Sequence, residues 1–135
     1  MVRKREVERL MEKWRNRLWL SQWKITPATT ETLEDDSPRG YEATAACDAD
    51  PTYRQATITI ALDVWDKRSA RRQNRSMCHE MVHVMMSPTT HLFDEMLKEL
   101  SPSKRAVYEK WYRDVDEVQA EHLCNVLLDV MGELK

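Results

Sequence analysis

The chain has 135 residues, which suits one compact core and leaves little for a second domain, so a single domain over 1–135 is expected. A formal net charge of -2 excludes a global field that would draw the chain to nucleic acid or to a membrane. The three cysteines (Cys47, Cys78 and Cys124) are widely spaced and contain no CxxC pair, which excludes a zinc ribbon and fits a reducing, cytoplasmic compartment.

The opening Met-Val-Arg-Lys-Arg lacks the apolar core of a signal peptide, and no apolar run reaches the roughly 20 residues needed to span a bilayer. A soluble protein is therefore expected. Residues 2–20 read as an amphipathic helix, with Val7, Leu10, Met11, Trp14 and Leu18 at helical spacing and charges on the other face. Trp23 to Thr26 reads as a first strand, and residues 29–40 have loop composition. In residues 41–48, Tyr41, Ala43, Ala45 and Cys47 alternate as one face of a strand, and Asp48 to Pro51 read as a turn. Ala56 to Leu62 is the clearest strand, with Ile58, Ile60 and Leu62 on one face and Thr57 and Thr59 on the other.

A basic run from Lys67 to Arg75 leads into a helix expected from about Ser69 to Met86, with Met77, Met81, Val84 and Met85 as its buried stripe. Ser87-Pro88 reads as its stop, and a short helix is expected from His91 to Glu99. Ser101-Pro102 is a start signal, an N-cap followed by proline in the first turn. From there to Leu134 the pattern is helical, as one bent helix or two, with Val107, Trp111, Val115, Val118, Leu123, Val126, Leu127 and Val130 as apolar members. A helix, a few strands and then helices alone make an α+β fold with one small sheet.

Within the third helical region lies His79-Glu80-Met81-Val82-His83. Four residues are a little over one turn, so both imidazoles project from one face and can hold one zinc ion. Glu80 then sits beside the ion, where a carboxylate can take a proton from a metal-bound water and pass it to a leaving group. A catalytic zinc needs a third protein ligand and an open position. Glu117 and Glu121, four apart on the last helix, and His91 are the candidates.

An HExxH helix followed by a glutamate on a later helix resembles the gluzincin branch of zincin metallopeptidases. The small size is similar to minimal gluzincins and to ImmA/IrrE-type or phage-encoded domains. That resemblance implies an N-terminal helix, a small sheet, an active-site helix and a ligand-bearing C-terminal helix. It also implies a glutamate ligand, a small residue three positions on and an acid or amide four on. Glu117, Ala120 and Glu121 match that pattern, and it can also be read one turn later as Glu121 and Asn125. On the first reading Glu121 orients a ligating histidine; on the second it is the ligand. His91 precedes Leu92-Phe93, faintly similar to the later histidine of SprT-like zincins.

The function expected on these grounds is a Zn2+-dependent metallopeptidase acting on a peptide or protein substrate, as a monomer, with Glu80 as general base. The alternatives are a zincin-fold regulatory or binding protein with one partner, and a nucleic-acid-binding domain that uses Lys67 to Arg75 on phosphates. In zincins of this layout the strand before the active-site helix borders the cleft, so Thr57 to Leu62 is the strand expected to pair with a substrate peptide. Tyr108, Tyr112, His91 and His122 are candidates for stabilising an oxyanion. Cys78 is expected to be a small buried residue, and Cys47 a possible cap on the metal.

Overall fold

The computed structural model describes residues 2–31 and 44–133. Its elements, in chain order, are α1 (Val2–Arg17), β1 (Lys24–Thr30), β2 (Ala45–Asp50), β3 (Gln55–Ala61), α2 (Leu62–Trp65), α3 (Ala70–Leu97) and α4 (Pro102–Val130). Four helices and a three-stranded sheet make the mixed α+β architecture expected from the element order. The expected residues Tyr41, Ala43 and Leu134 lie outside the described residues.

The sheet order is β1-β3-β2, with β1 parallel and β2 antiparallel to β3. The strongest alternation in the sequence therefore builds the central strand. Ile58 and Ile60 are fully buried, while Thr57 and Thr59 face the other side of the sheet. Both hydrogen-bonding edges of β3 are used by its neighbours, so Thr57 to Ala61 cannot pair with a substrate, which corrects the expectation above. Leu62 leaves the strand and starts α2, whose Trp65 is buried in the core.

One hydrophobic cluster joins α1, the sheet, α3 and α4, around Trp14, Ile58, Ile60, Met77, Met81, Val82, Cys124 and Leu128. Burying side chains of this size stabilises by roughly 1.5–3 kcal/mol each relative to exposure. α3 packs on β2, α1 and α4 and is buried around much of its circumference. Met77, Met81 and Val84 are buried as expected, whereas Met85 faces outward.

The expected stop at Ser87-Pro88 does not occur, and α3 runs through Pro88 to Leu97. Proline lacks the N–H that would bond the carbonyl four residues back, here Val84 O. The Ser87 hydroxyl donates to that carbonyl at 2.7 Å, and Thr90 Oγ1 donates to Met86 O at 3.4 Å. The bond that Pro88 cannot make is thus replaced from the side chain, and the expected helix over 91–99 is the end of α3.

α4 is one continuous helix, begun at Ser101-Pro102 as read from the sequence. Its buried residues are Ala120, Cys124 and Leu128, with Leu123 and Leu127 half-buried beside them. The expected apolar members Val107, Trp111, Val115, Val118, Val126 and Val130 are exposed, because they occupy the opposite face.

α1 and α4 end alike. Leu20 N–H bonds Arg15 O and Trp19 N–H bonds Asn16 O, with Trp19 left-handed at φ 57. Glu133 N–H bonds Leu128 O and Gly132 N–H bonds Asp129 O, with Gly132 at φ 70. Both are Schellman closures, a position that favours glycine. The second one turns Glu133 back onto α1 and α3, where its carboxylate accepts from Lys13 Nζ (3.0 Å), Arg17 Nη2 (2.7 Å) and Asn74 Nδ2 (2.8 Å). The Asn74 carbonyl in turn accepts from the buried Trp14 indole N–H at 2.8 Å.

Candidate metal centre

His79 and His83 stand one turn apart on α3, held by burial of Met77, Cys78, Met81, Val82 and Val84 around them. Their Nε2 atoms are 3.2 Å apart, and the rings meet edge to face with centroids 4.8 Å apart. α4 crosses this turn and brings in three carboxylates. Glu117 Oε2 lies 3.2 Å from His79 Nε2, and Glu117 Oε1 lies 3.0 Å from His83 Nε2. On the far side of each ring, His79 Nδ1 is 3.2 Å from Glu121 Oε2 and His83 Nδ1 is 3.4 Å from Asp116 Oδ2.

Each imidazole thus has a carboxylate on both sides, Glu117 at Nε2 and Glu121 or Asp116 at Nδ1, so a protonated ring donates both ways and a neutral ring donates to one side. With the hydrogens on Nδ1, both Nε2 lone pairs and the Glu117 oxygens point into one small space. Three acceptors at such distances repel unless they share a cation, either a proton or a metal ion. The donors also have the right spacing. Ligands about 2.0–2.1 Å from a tetrahedral ion stand about 3.4 Å from one another, close to the 3.0–3.2 Å found here. Among the described residues, His79, His83 and Glu117 are the one group of three that could hold a metal.

The charges around the group carry its history of burial and neighbours. Burial acts to lower His79, but the bond to Glu117 and the carboxylates of Glu80, Glu117 and Glu121 outweigh it and lift the pKa to about 9. His83 is also raised, by Glu117 and Glu80 against burial and against the neighbouring His79. Hydrogen bonds from His79 and then His83 hold Glu117 far below the usual carboxylate range. Burial pushes Glu80 up to about 7 against the pull of both histidines. Asp116 is raised by burial, and its Oδ1 is buried without a hydrogen-bond partner.

No family model, curated relative or solved structure matches this chain. The function must therefore be argued from the site itself.

The remaining sequence candidates fall elsewhere. Glu121 faces the outer nitrogen of His79 and pairs with Arg75, so its oxygens do not join the Nε2 group. His91 is exposed on the last turns of α3, eight residues or roughly 12 Å along the axis from His83. The Tyr112 hydroxyl donates to Thr90 Oγ1 at 3.2 Å, and its ring stacks on Phe93. Tyr108 packs against Trp111, and His122 is exposed. Cys78 is fully buried. Cys47 on β2 is half-buried near Glu80, its thiol pushed up to about 12 by burial and by Glu80 and Asp48, and it does not join the His79, His83 and Glu117 group. Sequence reading missed Asp116. Its only signal is the run of acids Asp114, Asp116, Glu117 and Glu121, which does not say which of them turn inward.

Beside the histidines a cavity of about 360 Å³ opens between α3 and the start of β2. It is bordered by Thr44, Ala45, His79 and Glu80 and by Arg68, Arg72 and Arg75. Among the described residues β2 is an edge strand of the sheet, and its first residue, Ala45, borders the cavity.

Proposed function

We propose that this protein is a zinc-dependent metallopeptidase of gluzincin-like type. The observation that carries the reading is the convergence of His79 Nε2, His83 Nε2 and Glu117 at 3.0–3.2 Å, with both outer imidazole nitrogens facing carboxylates. Two imidazole nitrogens and a carboxylate at these distances supply the three protein ligands of an open tetrahedral zinc site.

On this reading His79, His83 and Glu117 hold the ion. Glu121 and Asp116 fix the tautomer and orientation of His79 and His83, as carboxylates behind metal-bound imidazoles do. A bound zinc ion would supply an activated water and polarise the substrate carbonyl. Glu80, buried and raised to about 7, is matched to accepting a proton near neutral pH and releasing it to the departing amine. A peptide lies along the outer edge of β2, with main-chain hydrogen bonds setting its register. A structural zinc would have no use for a buried base one residue from a ligand.

The test is zinc titration and peptide hydrolysis on the wild type and Glu80→Gln. One zinc per chain in both, with hydrolysis reduced about 100-fold or more in the variant, is expected. Failure of the wild type to take up zinc, or equal hydrolysis by the variant, rejects the reading.

A further inference from the structure

The cavity beside the centre has an unusual wall. Arg68, Arg72 and Arg75 line it together with His79, Glu80 and Glu121. On α3, positions 72, 75, 76, 79 and 83 follow at helical spacing, so the arginines extend the same face that carries the histidines. Arg75 is neutralised by Glu121. The Arg68 and Arg72 side chains make no hydrogen bond or ion pair with the described residues. Two free guanidiniums beside an opening of about 360 Å³ form a recognition surface for carboxylate or phosphate, since the planar fork of arginine binds such groups bidentately.

We propose that this cavity is a subsite for acidic side chains, and that the substrate is a peptide carrying Asp or Glu near the bond cut. This rests on the peptidase reading above. Arg72 lies seven residues before His79, about 10 Å along the helix, or about three residues of extended peptide. The acid therefore sits two to four residues from the scissile bond.

The experiment uses zinc-loaded Glu80→Gln, which holds peptide without turning it over. Two fluorescent peptides differ only in Glu or Gln at those positions, and binding is read by anisotropy. The Glu peptide should bind at least about tenfold more tightly, which is about 1.4 kcal/mol. Arg68→Gln with Arg72→Gln should bring it down to the Gln peptide. Lys4→Gln with Arg5→Gln, the same charge change on α1, should not. Equal binding of the two peptides, absence of binding by both, or equal damage from the α1 pair overturns the subsite. Absence of zinc uptake, measured separately, overturns the peptidase reading instead.

The outer face of α4 carries a second, independent inference. Val107, Trp111, Val115, Val118 and Val126 follow at spacings of three and four, with His122 in the one gap. They lie opposite Ala120, Cys124 and Leu128, and they are exposed, Trp111 by 59% and Val118 by 68%. The helix is thus apolar on two faces, and the core covers one of them. Lys104 stands at one end of the outer stripe and Asp129 at the other.

The spacing of the stripe is the same in both directions, and its end charges are opposite. Laid antiparallel on a copy of itself about a two-fold axis between Asp116 and Glu117, it sets Val107 against Val126 and Trp111 against His122. The same register sets Val115 against Val118 and Lys104 against Asp129. A copy of this helix brings an aspartate to the Lys104 end and a lysine to the Asp129 end, a charge match that comes with the chain itself. We infer that a second copy of this chain covers the stripe, as an isologous α4–α4 contact. Glu117 and Glu121 project roughly a third of a turn away from the stripe's centre, so the metal cluster stays open.

Sedimentation of the full chain should give about twice the 16.0 kDa chain mass at high micromolar concentration. Lys104→Glu should weaken the dimer at least about tenfold, and Lys104→Glu with Asp129→Lys should restore it. Val118→Asp should give a folded monomer by circular dichroism. A wild type that sediments at 16.0 kDa, or a double charge swap that fails to restore association, overturns the contact.

Discussion

Among the described residues, the polar group around Glu133 and the one around His79 and His83 differ in how their charges are matched. Around Glu133, one carboxylate meets Lys13 and Arg17 plus the Asn74 amide. Arg17, then Asn74 and Lys13, hold Glu133 down to about 2. Around His79 and His83, Asp116, Glu117, Glu121 and Glu80 crowd two imidazoles; His79, His83, Glu80 and Asp116 are raised, and Glu117 between the two rings is held low. The first group has matched charges and ties α1, α3 and the end of α4 together. The second has an excess of carboxylates, and its histidines are raised by them. The difference lies in the balance of charge: one acid among cations at Glu133, and four acids around two imidazoles at the other site.

Breaking each group should therefore have different consequences. The largest effect is expected for His83→Ala, which removes an inner donor and should weaken zinc binding by at least about 1,000-fold, or about 4 kcal/mol, read by competition with a chelating dye. Glu133→Ala should leave zinc affinity within a few-fold. It strips the partners of Lys13, Arg17 and Asn74 and should lower stability by about 2 kcal/mol, read by urea unfolding. If Glu133→Ala instead lost zinc while keeping its stability, the contrast between the two groups would collapse.

Asp116→Ala sharpens the same contrast within the histidine group. It touches no inner donor and frees His83 Nδ1, so zinc affinity should fall about 10- to 100-fold with the fold intact. The pH dependence separates the groups again. Glu133 has a folded pKa near 2 and an ordinary unfolded one, so its contribution is present above about pH 4.5 and is lost as pH falls toward 2. Glu133→Gln should flatten that acid limb of the unfolding curve. Zinc binding should weaken over a different window, as pH falls below 9, because His79 must give up its proton to bind a metal.

The smallest effect concerns the two helix ends. Trp19, 91% exposed, occupies the left-handed closure of α1, where a side chain is strained. Trp19→Gly should raise stability by up to about 1 kcal/mol, and Gly132→Ala, at φ 70 with open space around the new Cβ, should lower it by a similar amount. Thermal midpoints of the two variants measure this directly.

The sequence was readable where one periodicity answers to one face. Ile58 and Ile60 alternate and are buried, and His79 and His83 repeat at one turn and meet. It was misread where a pattern had two causes. The apolar spacing of α4 comes mostly from its outer stripe, while the core contact is made by Ala120 and Cys124, which carry little hydrophobic signal. Pro88 looked like a stop because the compensating bond comes from the Ser87 hydroxyl, a rotamer that a sequence does not display. The edge role passed from β3 to β2 because strand order is a long-range property. Asp116 was hidden among neighbouring acids, since only the crossing of α3 and α4 decides which carboxylates turn inward.

The most direct measurement is calorimetric zinc titration of the wild type, Glu117→Ala and Glu121→Ala at neutral pH. A centre built on His79, His83 and Glu117 requires one zinc per wild-type chain and proton release on binding. It also requires a far larger loss of affinity for Glu117→Ala than for Glu121→Ala. A wild type that takes up no zinc, or one whose affinity depends on Glu121 more than on Glu117, would contradict it.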